Sequence, residues 1–151
     1  MNHFDTYKRI KKEFCHLFQF KSHGNTLEVI TPLVTITNKF ISVFITERGN
    51  KLIVTDGGWI SQEVYEHSMI GDDRDIILTL IAQYKKYYHI NQTSVNDSIF
   101  YFRSINDISL LVSSFFDVAN FVVNVVNSCS LNYKEKKEKK NKINKPYKPK
   151  K

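Results

Sequence analysis

The stretch LIVTDGGWISQE, residues 52–63, joins two different hydrophobic patterns. The apolar run before Asp56 is typical of a buried β-strand, whereas the apolar residues after Gly58 recur at helical spacing, with Ser61 as the predicted N-cap. Glycine pairs mark tight turns, because glycine adopts backbone conformations that other residues avoid. The stretch therefore predicts a junction at which a strand turns sharply into a helix.

Strands are predicted on both sides of this junction. Residues 40–46 and 51–55 are apolar runs separated by Glu47-Arg48-Gly49-Asn50, and a short connection containing Gly-Asn predicts an antiparallel hairpin. Residues 27–30 form a shorter run that is closed by Pro32, which lacks the N–H group that a strand interior needs. Residues 98–103 predict one further strand.

Helical spacing predicts a first helix over residues 4–20, ended by Gly24, and another over about 73–88. The first has an apolar stripe, formed by Phe4, Tyr7, Ile10, Phe14, Leu17 and Phe18, and a basic flank, formed by Lys8, Arg9, Lys11 and Lys12. The second has a buried stripe of Ile77, Leu80, Ile81, Tyr84 and Tyr88. Its N-terminal end carries Asp72, Asp73 and Asp75, where carboxylates complement the helix dipole.

The last predicted helix begins near Asn106 and continues to about Ser128. It is apolar around most of its circumference, and its polar residues recur at spacings of three or four as Ser113, Asp117, Asn120, Asn124 and Asn127. A helix of this kind must be covered on more than one side. We expect it to be the central helix of the core, with a homodimer or partner interface as the alternative. Membrane insertion is disfavoured, because Asp117 and the asparagines would be costly in hydrocarbon.

These elements predict an α+β fold, in which a small, mainly antiparallel sheet from residues 27–55 and 98–103 packs against several helices. A chain of 151 residues is the size of one domain, and we expect residues 1–132 to form it. Residues 133–151 hold ten lysines against two glutamates, so the net charge of +7 belongs to this segment. Its composition predicts a disordered lysine-rich tail.

Four segments resemble a known family, the bacterial and phage domain of unknown function 1828. They are ITPLVTITNKFISVFI at 30–45, KLIVTDGGWISQEV at 51–64, RDIILTLIAQY at 74–84, and the strand-then-long-helix pattern at 98–128. Together they cover most of residues 25–128. The family turn more often carries two acidic residues before its glycine, whereas here only Asp56 precedes Gly57. The resemblance implies a bacterial, phage or mobile-element protein, and it implies no activity.

Asp56 is the one catalytic candidate. A carboxylate after a strand and beside two glycines is a common position for a metal ligand or general base. The N–H groups of Gly57 and Gly58 are also suited to binding an anion at the start of the following helix. An enzyme would need further polar groups, such as Glu63, His67 or Arg103, close to Asp56. The simpler interpretation is that Asp56 accepts hydrogen bonds from the backbone of its own turn.

Other site chemistry is not indicated. The histidines, His3, His16, His23, His67 and His89, lack the spacing of zinc ligands, and we predict no metal and no cofactor. Cys15 and Cys129 are too few and too far apart for a disulfide framework, which favours a reduced, cytoplasmic protein. The chain has no run of 18 apolar residues and no signal-peptide pattern at its start, so no membrane contact is expected.

We therefore expect a non-catalytic binding module that holds a protein partner or a second copy of itself and contacts nucleic acid through residues 133–151. The candidate binding residues are Gly57, Gly58, Lys8, Arg9, Lys11, Lys12, Lys136, Lys137, Lys139 and Lys140. Two alternatives remain open from the sequence. One is a nucleic-acid or phosphate-processing enzyme centred on Asp56, and the other is a specific inhibitor or immunity protein.

Overall fold

The structure is a computed structural model and describes residues 2–62 and 74–143. Its elements follow in the order α1 (His3–His16), β1 (Gln19–His23), β2 (Thr26–Val34), β3 (Phe40–Arg48), β4 (Lys51–Thr55), α2 (Arg74–Tyr87), β5 (Asn91–Val95), β6 (Ser98–Ile105) and α3 (Leu111–Ile143). A short 3-10 turn, Ile108–Leu110, leads into α3. The predicted α+β class, with one antiparallel sheet and several helices, is confirmed.

The strands of the described residues form a single six-stranded antiparallel sheet in the order β1-β2-β3-β4-β6-β5. The predicted hairpin of β3 and β4 is confirmed, since Arg48 pairs with Lys51 across a Gly49-Asn50 connection. Gly49 has a φ of 61°, and a positive φ at the first connecting residue is what a type II′ hairpin turn requires. Because β6 pairs with the other side of β4, the strand that leads into Asp56 lies inside the sheet.

The predicted first helix is too long. α1 ends at His16, and Gln19–His23 form strand β1 at one edge of the sheet. Gln19 and Phe20, which were expected to be helical, thus belong to a strand. Gly24 is not a helix cap but the first residue of a Gly24-Asn25 connection between β1 and β2, with a φ of 59°. The pairing of β1 with β2 therefore overrides the local helical spacing.

Two further features of the sheet depart from the prediction. β2 continues through Pro32 to Val34, and its pairing with β3 shifts register between Ile30 and Val34. Proline is tolerated in a strand at such an irregularity, because the ladder is interrupted there. β5 was not predicted, because four of its five residues are polar and all five are exposed. It is joined to β6 by Asn96 and Asp97, which both have a positive φ, as a type I′ turn requires.

α3 covers one face of the sheet and is the centre of the core, as predicted. Its buried side chains pack with Ile41, Val43, Val54 and Tyr101 of the sheet, and they are Phe115, Val118, Ala119, Phe121, Val122, Val125, Val126 and Cys129. α2 packs against α3 and buries Ile77 and Ile81, while Leu80, Tyr84 and Tyr88 are partly buried against the same core. The buried stripe predicted for α2 is thus confirmed.

The polar stripe of α3 ties the helix to its neighbours. Asp117 forms an ion pair with Arg103 of β6. The side-chain amide of Asn124 donates a hydrogen bond of 2.8 Å to the Tyr88 hydroxyl, and Oδ1 of Asn127 accepts one of 2.9 Å from the N–H of Ile36. Because partly buried polar groups are costly when left unpaired, these contacts favour one position of α3 on the sheet.

α3 was predicted to end near Ser128, but it continues to Ile143. Residues 133–143 of the expected tail therefore extend the helix. Lysine and glutamate are good helix formers, which suits this extension. The remaining tail residues, 144–151, lie outside the described residues. Among the side chains that the structure describes, the last buried one along α3 is that of Cys129.

One helical segment among the described residues, Ile108–Leu131, is long and apolar enough to cross a membrane by length and composition alone. Of its most apolar window, 39% is buried inside the protein. The same segment packs on the sheet and holds Asp117 against Arg103. Its contacts are those of a core helix.

We predict that two phenylalanines of α3 differ sharply in their contribution to stability. Phe121 is fully buried, so Phe121→Ala should lower the free energy of unfolding by about 3–5 kcal/mol. Phe116, on the same helix, is 37% exposed, and Phe116→Ala should cost less than about 2 kcal/mol. Urea unfolding followed by circular dichroism measures both. Equal losses would contradict the placement of α3 in the core.

Candidate functional site

The carboxylate of Asp56 is fully buried and accepts hydrogen bonds from the protein's own backbone. Oδ1 accepts from the N–H of Gly58 and the N–H of Tyr101, each at 3.0 Å. Oδ2 accepts from the N–H of Ile60 at 3.1 Å. The side chain therefore joins three segments: the end of β4, the following turn and strand β6.

The turn after Asp56 directs the chain into helical structure that begins at Trp59. Ile60 donates to the Asp56 carboxylate, so Asp56 supplies the capping oxygen that was predicted for Ser61. The Ser61 hydroxyl instead accepts a hydrogen bond of 3.2 Å from the N–H of Ile99, on β6. The junction is therefore held to β6 at two points, one on each side of Trp59.

The two glycine N–H groups do not form an anion cradle in this arrangement. The N–H of Gly57 donates to the Thr55 hydroxyl at 3.2 Å, and that of Gly58 donates to Asp56. Both glycines have a positive φ, 64° and 83°, and a Cβ on Gly57 would lie 2.5 Å from the ring of Phe44. Glycine is required here by backbone conformation and by close packing.

The environment of Asp56 suits a structural role. Burial raises the pKa of this carboxyl group, while the hydrogen bonds from Tyr101, Gly58, Ile60 and Thr55 favour the ionised form and lower it. A general base or metal ligand must present an oxygen to its substrate or ion. Asp56 does not present an oxygen in this way, because its side chain is enclosed and both of its oxygens already accept hydrogen bonds.

The partners that an active site would need are not brought to Asp56 by the described residues. Arg103 pairs with Asp117 of α3. Glu63 and His67 lie outside the described residues, as do Asp72 and Asp73. In the part of the chain that the structure describes, no cluster of three His, Cys, Asp or Glu side chains could hold a metal ion.

The cysteines offer no activated nucleophile in the described structure. Cys129 is buried in the core, and burial raises the pKa of its thiol to about 11. A thiol with this pKa is protonated at neutral pH, whereas the thiolate is the reactive form. Cys15 is exposed on α1, which buries no residue in the core.

The basic binding candidates lie at the surface, on two helices. Lys8, Arg9, Lys11 and Lys12 are exposed on α1, and Lys8 lies over the ring of Phe4 at 4.3 Å from the ring centroid. Lys137, Lys139 and Lys140 are exposed on the extension of α3. For Lys136 the structure gives the helical backbone alone.

A groove on the sheet face opposite α3 was not predicted from the sequence. It has a volume of about 350 Å³ and is lined by Thr26, Phe44, Thr46, Arg48, Ile53, Thr55, Gly57, Thr93, Val95, Phe100 and Phe102. Phe44 and Phe102 lie in one row across the sheet, because each pairs with Thr55 of β4. The alternation of Phe44, Thr46 and Arg48 along β3 is the signal that could have revealed it. The groove offers aromatic surface with a cation at its rim.

We predict that replacing Asp56 destabilises the whole fold. Asp56→Ala leaves three backbone N–H groups without their acceptor, and we expect a loss of about 3–5 kcal/mol in the free energy of unfolding. Asp107 is a matched control, because it also caps a turn by accepting a hydrogen bond from Ser109 but is exposed. Asp107→Ala should cost about 1 kcal/mol. Thermal and urea unfolding measure both, and a stable Asp56→Ala variant would revive the catalytic interpretation.

A second prediction separates backbone strain from packing at Gly57. Gly57→Ala and Gly24→Ala both place a Cβ at a positive φ, but the Cβ at Gly24 would meet open space. The Cβ at Gly57 would collide with Phe44, so Gly57→Ala should be more destabilising by at least about 1 kcal/mol. Equilibrium unfolding in urea gives the difference. Equal effects would show that Phe44 moves aside without cost.

Comparison of the chain with protein-family models, with curated proteins and with solved structures found no match.

Proposed function

We propose that this protein is a non-catalytic binding module that attaches to nucleic acid through the lysine-rich extension of α3. The observation that carries the proposal is the path of α3. The helix leaves the core after Cys129 and continues to Ile143 with Lys137, Lys139 and Lys140 exposed. This extension, residues 130–143, is called the basic arm below.

The charge distribution supports a polyanionic partner. The ten lysines and two glutamates of residues 133–151 give this segment a local charge of +8, while the rest of the chain is nearly neutral. Lysines along a helix neutralise phosphates and release the counterions condensed on nucleic acid, which makes such binding strong at low salt. The flank of Lys8, Arg9, Lys11 and Lys12 on α1 provides a second cationic surface.

The arm is attached to a rigid part of the molecule, which favours binding. α3 is one continuous helix from the core into the arm. A segment that is already helical loses less conformational entropy on binding than a coil of the same charge. The arm is thus better suited to a binding role than to one that only improves solubility.

The geometry of Asp56 favours binding over catalysis. Its oxygens hold the strand–turn–helix junction together and are enclosed by the fold. An enzyme centred on Asp56 would need that carboxylate to reach a substrate. The role as an inhibitor or immunity protein, the bacterial or phage origin and the membership of the domain of unknown function 1828 family stay predictions from the sequence.

The groove on the open face of the sheet favours single strands over duplexes. Phe44, Phe100 and Phe102 line it, with Arg48 at its rim. Aromatic side chains on an open antiparallel sheet provide surfaces on which unpaired bases stack, and bases inside a duplex are not free to do so. We therefore propose that the groove supplies base contacts while the basic arm supplies electrostatic attraction.

We predict that nucleic-acid binding depends on the charge of the basic arm. A truncation of residues 133–151 leaves every described buried side chain in place and should abolish salt-sensitive binding of a single-stranded oligonucleotide. Replacing Lys137, Lys139 and Lys140 together by Gln should reduce the slope of log K against log salt by roughly 2, and replacing them by Arg should preserve it. Fluorescence anisotropy between about 50 and 200 mM salt measures the slopes, because the affinity should fall about tenfold or more over this range of salt.

Two results would overturn the proposal. One is the absence of binding by the full-length chain at low salt, and the other is undiminished binding by the truncated chain. An affinity for duplex equal to that for single strands would remove the groove from the proposal and leave the arm.

A further inference from the structure

α1 has an apolar stripe that nothing in the described structure covers. Tyr7, Ile10, Phe14 and Leu17 recur at spacings of three and four, and their exposed fractions are 60%, 60%, 46% and 53%. Phe4 lies beside them and is 63% exposed. Such spacing is the pattern of a seam between packed helices. α1 nevertheless contains no buried residue.

α2 shows what is missing from α1. Both helices have 14 residues, and α2 buries Ile77 and Ile81 against the core. A helix of this length is marginal in water on its own, because most helical stability in proteins comes from packing of an apolar face. α1 has an N-cap at Asn2, whose side chain accepts from the N–H groups of Phe4 and Asp5. A cap contributes too little to replace a packed face.

An apolar recess lies next to α1, at the end of the sheet. Phe18, Gln19, Phe20, Leu27 and Val29 line a groove of about 400 Å³ there. Phe20, on the edge strand β1, is 76% exposed. α3 packs mainly against β3, β4 and β6. Phe18 and Val29 are partly buried against the core, but Leu27 of β2 stays exposed at this end of the sheet. The chain therefore carries a projecting apolar helix and an open apolar groove side by side.

We propose that this surface is the interface of a homodimer, in which the stripe of α1 packs into the groove beside β1 and β2 of a second copy. A twofold axis makes such an exchange reciprocal, since each chain offers one helix and one groove. The occupant is a second copy because one chain carries both an uncovered apolar helix face and an apolar groove, so two copies can cover both features at once.

The exposed area agrees with a dimer of ordinary size. If each side chain offers about 150–250 Å² when fully exposed, the exposed parts of six side chains amount to roughly 70–190 Å² each. They are Phe4, Tyr7, Ile10, Phe14, Leu17 and Phe20. Their sum is on the order of 500–900 Å², compared with about 800 Å² per partner in a standard interface. A monomer rarely leaves a patch of this size open.

The main competing occupant is an anionic membrane, because α1 has a basic flank. A flat lipid surface would cover the stripe but would not fill the groove between β1 and β2. Asp5 and Glu13 also reduce the charge of α1, whereas helices that bind membranes by charge are strongly cationic on their polar face. A second chain covers both features, so the structure favours the dimer.

The test is the oligomeric state, measured by sedimentation equilibrium of the full-length chain. We expect a dimer in the micromolar range, and Ile10→Glu should weaken it at least about tenfold by placing a charge in the apolar interface. Lys12→Glu is the matched control, because Lys12 lies on the opposite side of α1 and should leave dimerisation nearly unchanged. α1 contributes no buried residue to the core, so both variants should keep a folded core. Ile10→Glu should lose at most the helical circular dichroism signal of the 14 residues of α1, which the interface stabilises.

Salt separates this proposal from the proposed nucleic-acid binding. Each chain carries +7, so added salt screens the repulsion between two copies and should strengthen the dimer. The same salt should weaken nucleic-acid binding. A wild-type chain that stays monomeric at 100 µM (far above the expected dissociation constant, roughly micromolar) overturns the dimer. So does a monomer that binds anionic vesicles through Ile10, because the membrane would then be the occupant.

Discussion

The fold depends on how β4 ends. Inside the sheet, β4 pairs with β3 on one side and β6 on the other, and it must leave the ladder while β6 still has a backbone N–H to satisfy, that of Tyr101. The Asp56 carboxylate accepts that hydrogen bond and, with the same group, the N–H groups of Gly58 and Ile60. A side chain thus takes the place of a missing strand residue and starts the helical turn.

This use of Asp56 explains why the junction resembles an active site in sequence. A carboxylate beside two glycines at the end of a strand is equally suited to binding a substrate and to closing a sheet. What separates the two is the direction in which the oxygens point, and that depends on β6, which lies more than forty residues later in the chain. Spacing within the turn carries no information about that strand. The sequence favours the structural interpretation because short glycine turns are more often structural than catalytic. The hydrogen bonds that Asp56 accepts give the physical reason in this protein.

The predictable parts of the fold are those in which local pattern and tertiary pairing agree. This class includes the strands at residues 51–55 and 98–103, the buried stripe of α2 and the apolar helix α3. The failures have the opposite character. Gly24-Asn25 is the same dipeptide as Gly49-Asn50 and makes the same kind of hairpin, but the apolar spacing before it favoured a helix. β5 has no apolar residue that faces a core, so only its Asn96-Asp97 turn could have indicated it.

The continuity of α3 has a mechanical consequence. From Cys129 to Ile143 the helix extends about 20 Å beyond the last described core side chain, at 1.5 Å per residue. An α-helix resists bending, so a force or a rotation applied at the far end reaches Asp117 and Arg103, where α3 is fastened to β6. The basic arm therefore keeps a fixed direction relative to the strands, because it continues the helix that Asp117 fastens to β6.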